Sequence, residues 1–359
     1  MIYHADVLVV GLGPAGAAAA SAAARGGLSV VGIDKRHQIG VPVQCAEFIP
    51  LPMGKYAQAE GVLYQTIRGM KSYLPSGEVA ATAFPGLMIN RAAFDQALAE
   101  QARQNGAELW LESRLLNLDA EQHRARIKTP DAEISVSYRL LIAADGPHSA
   151  IAAALHLPEL EVVTTRQYTV PLKQTYADTD IWLSADYPGG YAWLFPKGEW
   201  ANLGLGIDKR YGADMKTPLD ALHQQLIAQN LVGAAISYRT GGAIPVGGLR
   251  ANLVVGDILF TGDAAGLTHP ITGAGISAAV ISGDRAGLAA VAQLLADDKD
   301  ALADFEEDMR DQFEVTISRA VERRRWLNQY WQTSVAQSDA MHRKAWVAFP
   351  DYFENAAKQ

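Results

Sequence analysis

Gly11-Leu12-Gly13-Pro14-Ala15-Gly16 sits between the apolar run Asp6-Val7-Leu8-Val9-Val10 and an alanine-rich stretch, Ala17 to Arg25, that ends at Gly26-Gly27. Branched apolar residues before the turn and strong helix formers after it predict a strand, a tight turn and a helix. Leu28 to Ile33 predicts a second strand with Asp34 at its end. In such a unit one glycine permits the turn, one lets backbone approach a pyrophosphate, and one lets the helix pack on the strand. The free N–H groups that open the helix face the pyrophosphate charge. Gly11, Gly13, Pro14, Ala15 and Gly16 are therefore expected around a dinucleotide's phosphates, with Asp34 and Lys35 at its ribose.

Working outward, Asn90 reads as the cap of a helix over Arg91 to Gln104. Arg124 to Thr129 and Ile134 to Tyr138 read as a hairpin, and Leu140 to Ala144 as a buried strand ending in Asp145-Gly146. Residues 162 to 207 alternate apolar and polar positions and predict antiparallel sheet. A third nucleotide-domain signal, Ile258 to Thr261 followed by Gly262-Asp263, leads into a long helical pattern from Gly273 to Leu295. The expected fold is α/β: a Rossmann dinucleotide fold, an inserted substrate domain of mainly antiparallel sheet, and a helical C-terminal region. The expected boundaries are 1–72, 88–160 and 250–296 for the discontinuous nucleotide domain, 73–87 and 161–249 for the substrate domain, and 297–359 for the helical region.

Three segments together resemble one family. Asp6 to Gly16 with Asp34, Ala144-Asp145-Gly146-Pro147-His148-Ser149, and Thr261-Gly262-Asp263-Ala264-Ala265-Gly266 with Pro270-Ile271-Thr272-Gly273-Ala274-Gly275-Ile276 are similar to glutathione-reductase-type FAD enzymes. Within that group the chain resembles the geranylgeranyl reductases, which are related to aromatic hydroxylases and flavin halogenases. The resemblance implies FAD as cofactor, bound also by Asp145, Gly146, Gly262, Asp263, Pro270, Gly273, Ala274, Gly275 and Ile276. Independently of family, a helix opening at Gly273 and Gly275 offers its N-terminus to negative charge on a flavin. Arg91 resembles a cofactor-contacting arginine, and an ordinary surface role is equally open to it.

The subgroup rests on Tyr191-Ala192-Trp193-Leu194-Phe195-Pro196-Lys197-Gly198 and the following Asn202-Leu203-Gly204-Leu205-Gly206. Alternation places Tyr191, Trp193 and Phe195 on one strand face, where they form either a substrate-binding wall or ordinary core. Lys197 reads as a turn or solvent residue. Cys45, in Pro42-Val43-Gln44-Cys45-Ala46-Glu47, resembles the family's cysteine on the substrate side of the flavin, although Ala46 stands where the family has glycine. Cys45, Glu47 and His269 are the catalytic candidates, each with a structural alternative: a buried small hydrophobe, a salt-bridged residue and a loop histidine.

The resemblance implies hydride transfer from reduced flavin to a carbon–carbon double bond of an apolar, prenylated substrate. Oxygen-using monooxygenase or halogenase chemistry is one alternative, and a flavin-bearing electron carrier another. For the carrier, Arg323-Arg324-Arg325-Trp326, Trp331 and Trp346 form either a docking surface or a cap on the core. With no second glycine fingerprint, the electron donor stays open between NAD(P)H and a redox protein. Composition bounds the rest. The 359 residues carry 31 Lys and Arg against 39 Asp and Glu, a net charge of −8 that argues against nucleic acid. A single cysteine excludes an internal disulfide, the scattered histidines form no metal constellation, and the expected place is the cytoplasm, with the inner face of a membrane open. Oligomeric state is not legible.

Overall fold

A computed structural model describes residues 2–354, so the end of the expected C-terminal region, residues 355–359, lies outside the described residues. The strand Val7–Val10 is fully buried and pairs in parallel with Val30–Ile33 on one side and Leu140–Ala143 on the other. Glu108–Trp110 and Ile258–Phe260 extend this parallel set, and Val254–Val255 closes it as an antiparallel edge. The parallel strands Val7–Val10, Leu140–Ala143 and Ile258–Phe260 are buried along their whole length, which explains why they are unbroken apolar runs. Their C-terminal ends deliver the glycine turn, Asp34, Asp145 and the Gly262-Asp263 segment to one edge of the sheet, where ligands of open α/β sheets bind.

The first helix, Pro14–Arg25, opens with proline and is almost wholly buried. It lies against the helix Ile276–Leu295 with almost no space between backbones. A Cβ on Gly283 would come within 2.0 Å of the Ala15 carbonyl oxygen, and one on Gly287 within 2.5 Å of the Ala19 carbonyl oxygen. Ile276–Leu295 is apolar and long enough to span a bilayer, yet half of it is buried in this packing. The residues 91–104 helix is capped as expected, with Asn90 accepting from the Ala93 amide at 3.2 Å.

A nine-stranded sheet forms the second part, ordered from Tyr238–Thr240 through Val162–Pro171, Trp200–Ile207, Ala192–Lys197, Asp178–Trp182, Leu63–Tyr73 and Val79–Ile89 to Phe48–Pro50. Ala243–Pro245 also pairs with Val162–Pro171. The expected boundary is corrected here: residues 63–72, assigned with the nucleotide-binding part, belong to a hairpin with 79–89 in this second sheet. Two register shifts interrupt that hairpin, and Leu63 and Tyr64 are exposed, so its alternation is blurred. The long helix Ala301–Asn328 ties the parts together. Its Glu306 accepts from the Leu253 and Val254 amides, and its buried Arg324 donates to the Gly189 carbonyl and to Asp208.

Because the Ala15 carbonyl leaves no room for a side chain at position 283, Gly283→Val is expected to lower stability by about 3 kcal/mol or more. Leu288→Ala, on the exposed side of the same helix, serves as the control and should fall within about 1 kcal/mol of the parent. Urea unfolding of the two variants checks this.

Candidate active site

The glycine turn is held from both sides. Gly11 has φ +94°, and a Cβ there would meet the Ala144 carbonyl oxygen at 2.3 Å. A Cβ on Gly16 would sit 1.8 Å from the Gly11 carbonyl oxygen. Asp34 fastens the turn from the next strand: one carboxylate oxygen accepts from the Leu12 amide and the other from the Arg36 amide, both at 2.9 Å. Lys35 beside it is exposed.

Three observations bear on whether this edge fits FAD. A Cβ at Gly13 or Gly146 would meet nothing within 4 Å, so there is room over both turns. No side chain caps the helices that begin at Pro14 and Ile276, which leaves their first N–H groups available to an anion. Asp145 accepts from the Ile151 amide through one oxygen, while the other is buried without a protein partner. Burial pushes the Asp145 carboxyl up despite its Ser149 and Ile151 contacts. Asp263 is likewise raised by burial, against a 2.6 Å hydrogen bond from Thr268 and the charge of Arg91. Donor-rich helix ends, room over two glycine turns and a buried acceptor without a protein partner suit a dinucleotide's phosphates and hydroxyls.

The Cys45 loop lies between this edge and the large sheet. Glu47, 2% exposed, occupies the left-handed region at φ +73° and makes contacts that hold it there. One carboxylate oxygen accepts from the Arg91 amide at 3.0 Å; the other accepts from Asn202 at 2.8 Å and from the Lys197 ammonium. Asn202 also donates to the Ala46 carbonyl, and Gln167 donates to the Cys45 carbonyl at 3.0 Å. Gln167 is fixed in turn by the Trp193 indole, whose N–H donates to its amide oxygen at 3.1 Å. The Arg91 guanidinium makes a two-point pair with Asp95 at 2.8 and 3.0 Å. Burial pushes the Cys45 thiol up, and the Arg91 charge beside it works in the opposite direction.

Tyr191, Trp193 and Phe195 do share one face. Tyr191 packs edge-on to Trp193 and 4.9 Å from the Trp346 ring, and its hydroxyl donates to the Thr272 carbonyl. Trp346 and Phe349 are buried against this wall, so the C-terminal segment caps the site, as does Trp331 in the neighbouring cluster. His269 Nδ1 accepts from the Ile271 and Thr272 amides, which leaves Nε2 toward the Tyr352 hydroxyl at 3.4 Å. That imidazole organises the loop from Pro270 to Ala274. A cavity of about 300 Å³ opens beside the Cys45 loop, lined by Val41, Pro42, Glu47, Lys197, Asn202 and Tyr238 among others.

The structure therefore brings the Cys45 loop, Arg91, Asp263 and the aromatic wall together and leaves Lys35 at the periphery. Lys197 is corrected from a solvent residue to the partner of buried Glu47, itself only 15% exposed. Gln167 and Asn202 escaped the sequence reading. Their only signal is the carboxamide itself, which in Asn202's case stands within an otherwise apolar strand, a position that demands a hydrogen-bond partner.

Comparison with known proteins places the chain among FAD-dependent reductases. A family model described as geranylgeranyl reductase catalytic domain matches residues 162–242, and one described as FAD dependent oxidoreductase matches residues 6–145. The chain is 35% identical to a digeranylgeranylglycerophospholipid reductase of Methanosarcina acetivorans, over 79% of this chain and 74% of that protein. It is also 35% identical to digeranylgeranylglycerophospholipid reductase 1 of Methanopyrus kandleri, over 86% and 88% respectively. The crystal structure of a geranylgeranyl bacteriochlorophyll reductase-like protein from Thermoplasma acidophilum superposes with TM-score 0.82 at 27% identity, covering 96% of each chain.

Glu47→Gln leaves the Lys197 charge buried without its partner and is expected to cost about 3 kcal/mol, whereas Glu47→Gln with Lys197→Met should recover most of it. Denaturant titration of both variants checks the pair. For His269, burial holds the imidazole down at about 4. The folded protein keeps it neutral where the unfolded chain, with a pKa near 6.5, takes up a proton. Its contribution is thus complete above about pH 6.5 and shrinks by up to about 3 kcal/mol as pH falls to 4. His269→Asn keeps an acceptor for the two amides. The difference in unfolding free energy between wild type and this variant should therefore slope between pH 6.5 and 4 and flatten above 6.5.

Proposed function

Because this chain belongs to the geranylgeranyl reductase family of FAD-dependent oxidoreductases, we propose that it reduces carbon–carbon double bonds in the prenyl chains of a lipid. The observation that carries the reading is positional. The segment matched by the reductase catalytic domain, 162–242, contributes Gln167, Trp193, Lys197 and Asn202, the side chains that clamp the Cys45 loop against the aromatic wall. The reductase names of both relatives favour alkene reduction over the oxygen-using and electron-carrier alternatives.

In this reading the glycine turn, Asp34, Asp145-Gly146, Arg91, Gly262-Asp263 and the segment Pro270 to Ile276 hold FAD, which supplies the hydride chemistry when bound. The rest is done by the chain. Tyr191, Trp193 and Phe195 present an apolar surface along which a prenyl chain lies and from which water is excluded. Tyr191 fixes the His269 loop on one side of the wall, while Trp193, through Gln167, fixes the Cys45 loop on the other. Cys45, kept protonated by burial, is the group on that loop able to give up a proton to a carbon. Glu47 and His269 act as positioning residues, since their side chains are engaged in holding loop backbone and neighbouring strands.

The reading is tested by mixing anaerobically reduced, FAD-loaded protein with a geranylgeranylated glycerolipid. Flavin should reoxidise without oxygen, and the product should gain two mass units per reduced bond. Reoxidation that needs oxygen and adds an oxygen atom would overturn it in favour of a monooxygenase.

A further inference from the structure

Strand register lines up one end of the large sheet on the wall's own face. Tyr238 pairs with Thr169, Thr169 with Asn202, and Asn202 with Phe195, while two residues further out, on the same face, Lys197 pairs with Trp200. The Lys197 ammonium lies 4.9 Å from the Tyr64 ring, so Tyr64 joins the same edge. Phe195 continues through Phe48, 6.1 Å away, to Phe84, stacked at 5.6 Å. Tyr238, Trp200, Tyr64 and Phe84 are each 39–45% exposed, and Leu51 and Leu63 beside them are about half exposed. The strand Val79–Ile89, which carries Phe84, has no charged residue along its whole length. The cavity beside the Cys45 loop opens in this row, at Tyr238, Asn202 and Lys197.

We infer that this rim seats the protein on the surface of a lipid bilayer. The inference rests on the proposed prenyl-lipid substrate and adds how that substrate is reached. Three features select a bilayer. Tyrosine and tryptophan, apolar bodies with polar tips, suit the boundary between headgroups and acyl chains. Lys55, on the Leu51–Ala57 turn with Leu51, adds an exposed cation for lipid phosphate. The rings of Phe84, Phe48 and Phe195 form an unbroken apolar path from rim to wall, so a prenyl chain can pass inward without crossing water.

The test uses FAD-loaded full chain and phosphatidylcholine vesicles in a sedimentation assay. It compares wild type with a triple variant, Leu51→Ser, Leu63→Ser and Trp200→Ser, none of which lines the cavity, and with Val315→Ser, 70% exposed on the distant helix Ala301–Asn328. Wild type and Val315→Ser should partition onto vesicles alike, and the triple variant should lose at least about tenfold in partitioning. Flavin content and anaerobic turnover of a short, water-soluble prenyl alcohol should stay unchanged in the triple variant. Absence of wild-type binding, equal binding by the triple variant, or a wild-type dimer that falls apart in the triple variant would overturn the rim as a bilayer surface. Failure of wild type to turn over the soluble alcohol would instead count against the reductase reading.

Discussion

Backbone touching backbone at the glycine turn is the constraint on which the rest of the structure depends. Gly16 meets the Gly11 carbonyl, Gly11 meets Ala144, and Gly283 meets Ala15, each at a distance that no side chain could occupy. These contacts bring three chain segments, separated by more than a hundred residues each, to one sheet edge. Once they are in place, the first turn of Pro14–Arg25 faces the Asp145 loop, and the helix Ile276–Leu295 starts beside both. The proposed cofactor site is thus a consequence of close packing.

A second constraint is the buried carboxylate of Glu47. A non-glycine residue held at positive φ is costly, about 1 kcal/mol or more, and its carboxylate is nearly sealed from water. Contacts from Arg91, Lys197 and Asn202 stabilise it, and each comes from a different element. Through those contacts the Cys45 loop is registered against the helix that carries Arg91 and against the strands of the aromatic wall. Tyr191 does the equivalent for the His269 loop. The wall is therefore more than a lining, because its polar tips set the two loops that flank it.

What could be read from sequence follows from the range of the interactions. The strand, turn and helix at residues 7–25 are local, and short-range propensity is enough to find them. Asp145-Gly146 and Gly262-Asp263 stood out through their resemblance to segments of FAD enzymes, and both glycines occupy positive φ. The helix cap at Asn90 also emerged as expected. Lys197 was misread because its turn, Pro196-Lys197-Gly198, looks solvent-facing, while its partner is 150 residues away. The hairpin 63–89 was split between domains because its bulges and exposed apolar residues break the two-residue period. Arg323 and Arg324, open from sequence between a docking surface and a cap on the core, are both buried, one on the Tyr352 carbonyl and the other on Asp208. Trp346 and Phe349 belong to the wall only through tertiary contact. Gln167 sits among the threonines and arginine of its strand and gave no local signal, and Asn202 gave none beyond being polar in an apolar strand.

The central claim is that one FAD molecule is held jointly by three separated segments. Hydrogen–deuterium exchange of the apo and FAD-loaded protein tests it most directly. Protection should appear together at residues 11–16, around 145–151 and across 262–276, with the exposed face of Ala301–Asn328 unchanged. Protection confined to residues 11–16 and Asp34 would contradict the account, because the isoalloxazine end of the cofactor would then lie outside the site described.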